Sequence, residues 1–337
     1  MTIDCLHQKI SGTAEPPKIF RGIIQPSIGC FFGPAKSGKT TLVENLAMNI
    51  ASGRNTFLGD ELKSESRRVL LVSLEEYYRS RTHRNIKQME ALTRKHNLDP
   101  YWRDGVLVVD ETFPRYILSE NHWLLLEKEI ERHKPGFVML DSLSRLTTDS
   151  IEDSAVATKL MKKLRDITHK HNIALCLIHH SQKLDDRPVT IASLAGSRIV
   201  GQEMDFMIGV NRTSQNIRYI KDVAYRYHPD DSEYVMRFSF DNDHLITELG
   251  NVYEDDLFRT RFNTPDTPSN EDFVLDEFKN NLGEKESVTM TAKELNNALV
   301  NSYVMSKPTL FAALRRLVDN QLISKPKTGT YVYKKPG

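Results

Sequence analysis

The clearest chemistry in the sequence lies in one glycine-containing segment near the amino terminus. Residues 33–40 fit the pattern G-x-x-x-x-G-K-[ST], after an apolar run that predicts a strand and before a helical stretch. Gly33 and Gly38 let successive N–H groups face phosphate oxygens, and the helix directs its positive end at the same point. Lys39 is expected to reach the β and γ phosphates, and Thr40 to bind Mg²⁺ through its hydroxyl. The segment predicts a site for ATP and Mg²⁺ formed by Gly33, Pro34, Ala35, Lys36, Ser37, Gly38, Lys39, Thr40 and Thr41.

Two carboxylates at predicted strand ends could complete this site. Asp141 ends the apolar run 137–141, where it is placed to hold the metal, although an Asp at a strand end is also common in ordinary turns. Glu75 follows the apolar run 69–74 and is the candidate base or water-orienting group. The alternative is that Glu75 and Glu76 merely begin the next helix, where acidic side chains suit the positive end of the dipole.

These side chains need a fold that brings several strand ends together. The first 250 residues alternate short β-branched apolar runs with longer amphipathic stretches, which is typical of parallel strands joined by crossover helices. The sequence predicts an α/β core with a mainly parallel sheet flanked by helices, with strands at 28–32, 69–74, 106–110, 137–141 and 173–179, and helices at 39–52, 77–95, 121–133 and 153–171. Alternating runs between 205 and 248 suggest further strands that extend the sheet.

A polar, proline-punctuated segment separates this core from the carboxyl-terminal region. Composition places the core at 1–250, a linker at 251–272 and a second domain at 273–337. Three helical patterns precede a hairpin pattern with its turn at 327–330, which together predict a small winged helix-turn-helix domain; the helices are expected at 273–281, 291–300 and 306–320.

The second domain is basic although the whole chain is not. The chain has 46 Lys and Arg against 45 Asp and Glu, so overall charge neither favours nor excludes a nucleic-acid partner. Residues 301–337 contain one acid, Asp319, and a group of lysines and arginines on the third helix and the hairpin. This concentration predicts contact with the phosphates of double-stranded DNA, and protein contact is the alternative. The candidate DNA contacts are Lys307, Arg315, Arg316, Lys325 and Lys327.

Composition argues against several other classes of protein. A hydrophobic fraction of 39% without low-complexity tracts predicts a folded chain and excludes collagen-like or wholly disordered ones. The longest apolar runs are far shorter than the roughly 20 residues that cross a bilayer, so no membrane-spanning helix is expected. The amino terminus lacks a basic-then-apolar leader, and three cysteines are too few for a disulfide framework. A cytoplasmic location is therefore expected.

The loop, the segments Leu74-Glu75-Glu76 and Leu140-Asp141-Ser142, and residues 178–183 together resemble the RecA-like ATPases, most of all the branch of hexameric RepA-type plasmid replicative helicases. The resemblance extends over residues 15–245. It implies a homo-oligomeric ring, a hexamer in that branch, or a filament. It also implies that Glu75 polarises the attacking water and that His180 senses the γ phosphate, with His179 as the alternative.

The resemblance also implies a neighbouring subunit's cation at each site. Arg226 lies nearest to the family's position for this cation, with Lys221 close by in sequence. The family often has a Lys two residues before the Arg, and this sequence has Ala224 there.

The resemblance also implies a loop that contacts the backbone of single-stranded nucleic acid. Residues 181–199 match it, but their charge is nearly balanced, so an ordinary surface loop is the alternative; the charged residues are Lys183, Asp185, Asp186, Arg187 and Arg198.

Two functions follow from these features. One is a DNA-associated ATPase of plasmid or mobile-element type that acts as a motor or a loader. The other is an ATP-switched DNA-binding regulator or assembly scaffold with little turnover. A small-molecule kinase built on the same loop is disfavoured, because no acceptor pocket can be named and the basic domain would be unexplained.

Overall fold

The chain forms two compact units in the computed structural model, Met1–Phe258 and Arg259–Gly337. The structure describes residues 1–12, 15–182, 184, 187–228, 233–258, 270–283, 285–302 and 304–335. Within these ranges, no helix is both long enough and apolar enough to cross a membrane.

The larger unit is organised around a nine-stranded sheet. The unit contains strands β1 (Lys18–Phe20), β2 (Ile23–Ile24), β3 (Ser27–Gly33), β4 (Thr56–Phe57), β5 (Asp60–Glu61), β6 (Val69–Ser73), β7 (Val106–Val108), β8 (Phe137–Asp141), β9 (Ala174–His180), β10 (Phe206–Arg212), β11 (Arg218–Tyr225), β12 (Tyr234–Phe240) and β13 (Ile246–Tyr253). The order across the large sheet is β13-β12-β11-β10-β3-β9-β8-β6-β7, and β1–β2 and β4–β5 form separate pairs.

The large sheet has a parallel and an antiparallel part. Strands β7, β6, β8, β9, β3 and β10 are parallel neighbours, so their carboxyl ends lie along one edge. All five predicted core strands belong to this part, which confirms the mainly parallel sheet. The predicted extension is β10 to β13, in which β11, β12 and β13 pair antiparallel. The predicted strand at 106–110 ends at Val108, because the Asp110 carboxylate accepts a hydrogen bond from Thr112 N at 2.9 Å and forms a turn.

Helices cover both faces of the sheet. Val138 and Leu140 of β8 belong to one apolar core, and Phe137 and Met139, which point the other way, belong to a second. The first core includes side chains of the helices at residues 120–133 and 154–171. The second core includes side chains of the helix that follows β3. The helices are α1 (Ile3–Ile10), α2 (Lys39–Ala51), α3 (Tyr78–His96), α4 (Glu120–His133), α5 (Ser154–His171) and α6 (Arg198–Gln202).

The larger unit continues past the predicted boundary at residue 250. Strand β13 runs through Gly250 and pairs with β12, and the buried Glu254 carboxylate accepts hydrogen bonds from Tyr219 Oη at 2.7 Å and from Lys221 Nζ. Because β13 is an edge strand in which only Tyr253 is buried, its composition resembles that of a connector. Of the linker predicted at 251–272, residues 259–269 lie outside the described residues.

The smaller unit combines helices with a three-stranded sheet of order β14-β16-β15. Its core includes Phe278, Leu295, Leu310 and Leu314. The three predicted helices and the hairpin are present, and β14 adds a strand that the sequence did not indicate. The elements are α7 (Asn270–Leu282), β14 (Ser287–Thr291), α8 (Ala292–Leu295) with a π-helical continuation Asn296–Val300, α9 (Lys307–Asp319), β15 (Ser324–Lys327) and β16 (Thr330–Lys334).

Candidate active site

The glycine-containing loop joins the carboxyl end of β3 to the first turn of α2. Both of its glycines are required by close packing. A Cβ atom on Gly33 would lie 1.9 Å from the carbonyl oxygen of Val210, and one on Gly38 would lie 2.7 Å from the Phe240 ring. Gly38 also has φ +101°, in the left-handed region that favours glycine. Strands β10 and β12 therefore press against the loop and leave room only for its bare backbone.

Lys39 lies inside the loop. Its Nζ donates hydrogen bonds to the carbonyl oxygens of Gly33 at 3.0 Å and Pro34 at 2.8 Å, and the residue is only 5% exposed. Burial lowers the pKa of Lys39 to about 8, against the opposing attraction of Asp141 and Glu75. A buried ammonium whose present hydrogen-bond acceptors are two neutral carbonyl oxygens is suited to bind a phosphate as a further partner.

Thr40 and Asp141 form the pair that could hold a metal. The Thr40 hydroxyl donates a hydrogen bond of 2.7 Å to Asp141 Oδ2, although the two residues are 101 positions apart. Burial raises the pKa of Asp141 to about 6, and the hydrogen bond from Thr40 opposes this rise. A hydroxyl and a carboxylate oxygen at one point are ligands that fit Mg²⁺.

Glu75 lies just beyond the end of β6, next to this pair. Ser73 of β6 is in register with Asp141 of β8, which explains why the two carboxylates share one edge of the sheet. Glu75 Oε1 accepts hydrogen bonds from the hydroxyls of Ser142 and Ser144, the latter at 3.2 Å. The His180 imidazole, together with these hydroxyls, lowers the pKa of Glu75 to about 2. The carboxylate is therefore ionised at neutral pH.

The two adjacent histidines occupy different environments. His180, at the end of β9, is in register with Gly33 and places Nε2 3.9 Å from Glu75 Oε1. His179 is buried, and its Nε2 donates a hydrogen bond of 2.8 Å to the carbonyl oxygen of Ala195. Burial lowers the pKa of His179 to about 4, so this ring is neutral at pH 7. Of the two candidates, His180 is the one placed beside the other site residues.

Arg226 lies at the amino-terminal end of β3, whereas the glycine-containing loop of the same subunit lies at the carboxyl end of that strand. Its Nη1 is 3.2 Å from Asp205 Oδ1, and Asp205 Oδ2 accepts a hydrogen bond from Ile28 N at the start of β3. Ile28 and Gly33 are five residues apart on an extended strand, which separates the two ends by about 17 Å. Arg226 therefore does not contact the loop of its own subunit. Lys221 is buried and paired with Glu254, so it is not available as a substitute.

The segment after β9 begins next to the loop. Ser181 N donates a hydrogen bond of 3.0 Å to the Gly33 carbonyl, and Gln182 N donates one of 2.9 Å to the Ser193 carbonyl. Arg187 and Arg198 are described, whereas Lys183, Asp185 and Asp186 lie outside the described residues.

Sequence reasoning missed several residues that support the site. Arg84 on α3 pairs with Glu44 of α2 at 2.8 Å and with Glu76 at 2.5 Å, and the Glu44 side chain is fully buried. Nothing in the spacing of these residues predicts the contact, because it depends on how α2 and α3 pack. The hydroxyls of Ser142 and Ser144 could have been suspected, since they closely follow Asp141 in the sequence.

The candidate DNA contacts of the smaller unit divide into two groups. Lys307 and Arg315 on α9 and Lys325 and Lys327 on β15 are exposed. Arg316 instead pairs with Glu271 of α7 at 3.0 Å, and both side chains are largely buried. Arg316 thus joins two helices of its own unit.

Comparisons with known proteins address the larger unit. A family model described as an AAA domain matches residues 6–186, more than half of the chain. No curated protein matches the sequence. A solved structure described as an ATPase domain is similar to this chain, with 14% sequence identity and a TM-score of 0.52. The match covers 74% of this chain and 97% of the other chain. These findings confirm the RecA-like P-loop core, whereas the RepA-type branch remains a prediction. The chain belongs to the AAA domain family, and its larger unit has the fold of a P-loop ATPase domain.

Proposed function

We propose that the larger unit hydrolyses ATP at the edge where β3, β6 and β8 end. The observation that carries this proposal is the meeting of Thr40, Asp141 and Glu75: the first two share a 2.7 Å hydrogen bond, and Glu75 binds the serine that follows Asp141. The backbone N–H groups of residues 33–41 would bind the phosphates, and Lys39 would contact the β and γ phosphates. Mg²⁺ held by Thr40 and Asp141 would neutralise phosphate charge. Glu75 would orient the attacking water, and His180 would contact the γ phosphate.

Arg226 supports an oligomer of identical subunits, for which a RepA-type hexameric ring is the form that we propose. Its guanidinium is half-exposed but lies across the sheet from its own loop. An arginine that is accessible yet distant from its own site is suited to complete the site of a neighbouring subunit.

The smaller unit supports association with DNA. Its element order, one helix, one strand, two helices and a hairpin, supports the winged helix-turn-helix domain that we propose. Four exposed cations lie on α9 and β15, where they would neutralise phosphates of double-stranded DNA. Single-stranded DNA bound along residues 181–199 is a second proposed contact. We therefore propose a DNA-associated ATPase that acts as a motor or a loader.

One observation favours an ATP-switched regulator as a second candidate. Glu75 Oε1 accepts hydrogen bonds from two serine hydroxyls, and its pKa of about 2 makes it a weak proton acceptor. A carboxylate held in this way suits slow turnover, in which ATP binding rather than hydrolysis controls assembly.

The test is the steady-state ATPase rate with and without single- and double-stranded DNA, combined with mass determination in a slowly hydrolysed ATP analogue. Stimulation by DNA that disappears in Glu75→Gln supports the motor. Nucleotide-dependent assembly and DNA binding with negligible turnover supports the switch. Absence of both nucleotide binding and turnover would contradict the two proposals together.

A further inference from the structure

One face of α9 combines an exposed aromatic ring with two cations. Leu310, Ala313, Leu314 and Leu317 are buried against the core of the smaller unit. An adjoining, exposed face presents Lys307, Phe311 and Arg315, each separated from the next by four residues and therefore adjacent along the helix. We refer to these three residues as the α9 stripe. Phe311 is 41% exposed, although phenylalanine is usually buried.

We infer that the α9 stripe reads double-stranded DNA in the major groove and that Phe311 recognises thymine through its C5 methyl group. This inference rests on the proposed association with DNA and adds a base-reading residue to it. The candidate phosphate contacts neutralise charge but carry no sequence information, whereas an apolar side chain that touches a base edge does.

The arrangement of the stripe suits a helix in a major groove. Lys307 and Arg315 are eight residues apart, which is about 12 Å along a helix axis. The major groove is about 12 Å wide and admits one helix. Because the three side chains project from the same side of α9, a helix in the groove would present the ring to the base edges, with a long cationic side chain on either side of it within reach of the phosphates that line the groove.

The charge of the surrounding elements favours a polyanion such as DNA over a basic or neutral protein surface as the partner. The hairpin that follows α9 adds the exposed Lys325 and Lys327 to the two cations of the stripe. Most acidic residues of the unit lie on other elements: Asp272, Asp276 and Glu277 on α7, Glu286 just before β14, and Glu294 on α8. One acid, Asp319, ends α9, while the amino-terminal two-thirds of its exposed face is cationic and aromatic.

The test compares two short duplexes of identical base order, one made of A·T pairs and the other with deoxyuridine in place of every thymidine. Deoxyuridine lacks only the C5 methyl group. Fluorescence anisotropy with the full chain at low salt should show tighter binding to the thymidine duplex, by about fourfold for each methyl group that Phe311 buries. Phe311→Ala should abolish this preference. Phe273→Ala, which removes another exposed phenylalanine of the same unit, is the matched control and should retain it.

The other variants and outcomes separate this inference from the proposed function. Lys307→Ala should weaken binding to both duplexes equally, because it removes a phosphate contact. Equal binding of both duplexes by the unaltered chain, or a preference that survives in Phe311→Ala, would overturn the role of Phe311 and leave DNA association intact. Failure to bind either duplex would overturn the inference and the DNA part of the proposed function, and ATP turnover of the same samples would show whether the ATPase proposal stands. Correct folding of each variant is checked by its thermal unfolding curve.

Discussion

The Thr40 hydroxyl and the Asp141 carboxylate are joined by a hydrogen bond of 2.7 Å that links the first turn of α2 to the end of β8. Strands β3 and β8 are not neighbours, since β9 lies between them. The contact therefore depends on three parallel strands that end at the same edge. This geometry places a hydroxyl and a buried carboxylate at the point where the positive end of α2 favours phosphate.

Asp141→Asn should stabilise the nucleotide-free protein at pH 7 while removing Mg²⁺-dependent activity. Burial raises the pKa of Asp141 from 3.8 to about 6, so the folded state binds more protons than the unfolded state between these values. Ionised Asp141 therefore lowers the free energy of unfolding at neutral pH, by roughly 1–3 kcal/mol.

Denaturant unfolding of Asp141→Asn should show this gain at pH 7 and its progressive loss as the pH falls from about 6 to about 4. Asp110→Asn is the control, because Asp110 also follows a strand but is exposed, and it should give no gain. A less stable Asp141→Asn protein at pH 7 would contradict the burial argument.

Glu75→Gln should reduce ATP turnover by about 10²–10⁴-fold and leave ATP binding nearly unchanged, because Glu75 is assigned to the water and not to the nucleotide. Glu76→Gln is the matched control: Glu76 pairs with Arg84, so its loss should reduce stability more than turnover. Turnover and nucleotide affinity are measured on the same preparations. Equal loss of turnover in both variants would show that Glu75 has no special role.

Arg84→Ala should lower the free energy of unfolding by about 3 kcal/mol, because it leaves the fully buried Glu44 carboxylate without its partner. The double variant Glu44→Gln, Arg84→Ala should recover much of this loss. Denaturant unfolding of the single and double variants completes the cycle. Strict additivity of the two single losses would show that the pair is not coupled.

Arg226→Ala subunits mixed with Glu75→Gln subunits should regain part of the ATPase activity that each lacks alone. Some interfaces would receive Arg226 from a Glu75→Gln subunit and Glu75 from an Arg226→Ala subunit. The ATP site at such an interface would contain both residues. Stability should change little, since Asp205 retains Arg165 at 3.2 Å. Absence of rescue at every mixing ratio would contradict a role for Arg226 across the interface.

Lys307→Ala and Arg316→Ala should separate DNA contact from internal support. The exposed Lys307 is assigned to a phosphate, so its loss should reduce the slope of log affinity against log salt by about 1. Arg316 pairs with Glu271 inside the smaller unit, so its loss should lower stability by about 2 kcal/mol with little change in that slope. The opposite pattern would show that Arg316 leaves Glu271 to bind DNA.

Local patterns in the sequence predicted the parallel strands, the loop after β3 and the helices between strands. These features depend on residues near one another in the chain, such as Gly33, Gly38 and Lys39, or on runs of apolar side chains such as β8. The end of the larger unit could not be predicted, because β13 is an edge strand with a single buried residue and is recognised only through its pairing with β12. Contacts between distant helices, such as Arg84 with Glu44, depend on packing and leave no local pattern.

The two histidines show the same limit at the site. Neighbouring residues of a strand point to opposite faces, so the sequence offered His179 and His180 as alternatives without indicating which face held the site. The register of β9 with β3 distinguishes them, because it places His180 opposite Gly33 and leaves His179 bonded to Ala195.

The most direct test of the central claim is a structure of the full chain with Mg²⁺ and a slowly hydrolysed ATP analogue at saturating concentration. We expect the triphosphate on the backbone of residues 33–41, the metal bound by Thr40 and associated with Asp141, and Lys39 against the β and γ phosphates. A loop without nucleotide under these conditions, or a triphosphate bound elsewhere on the chain, would contradict the account.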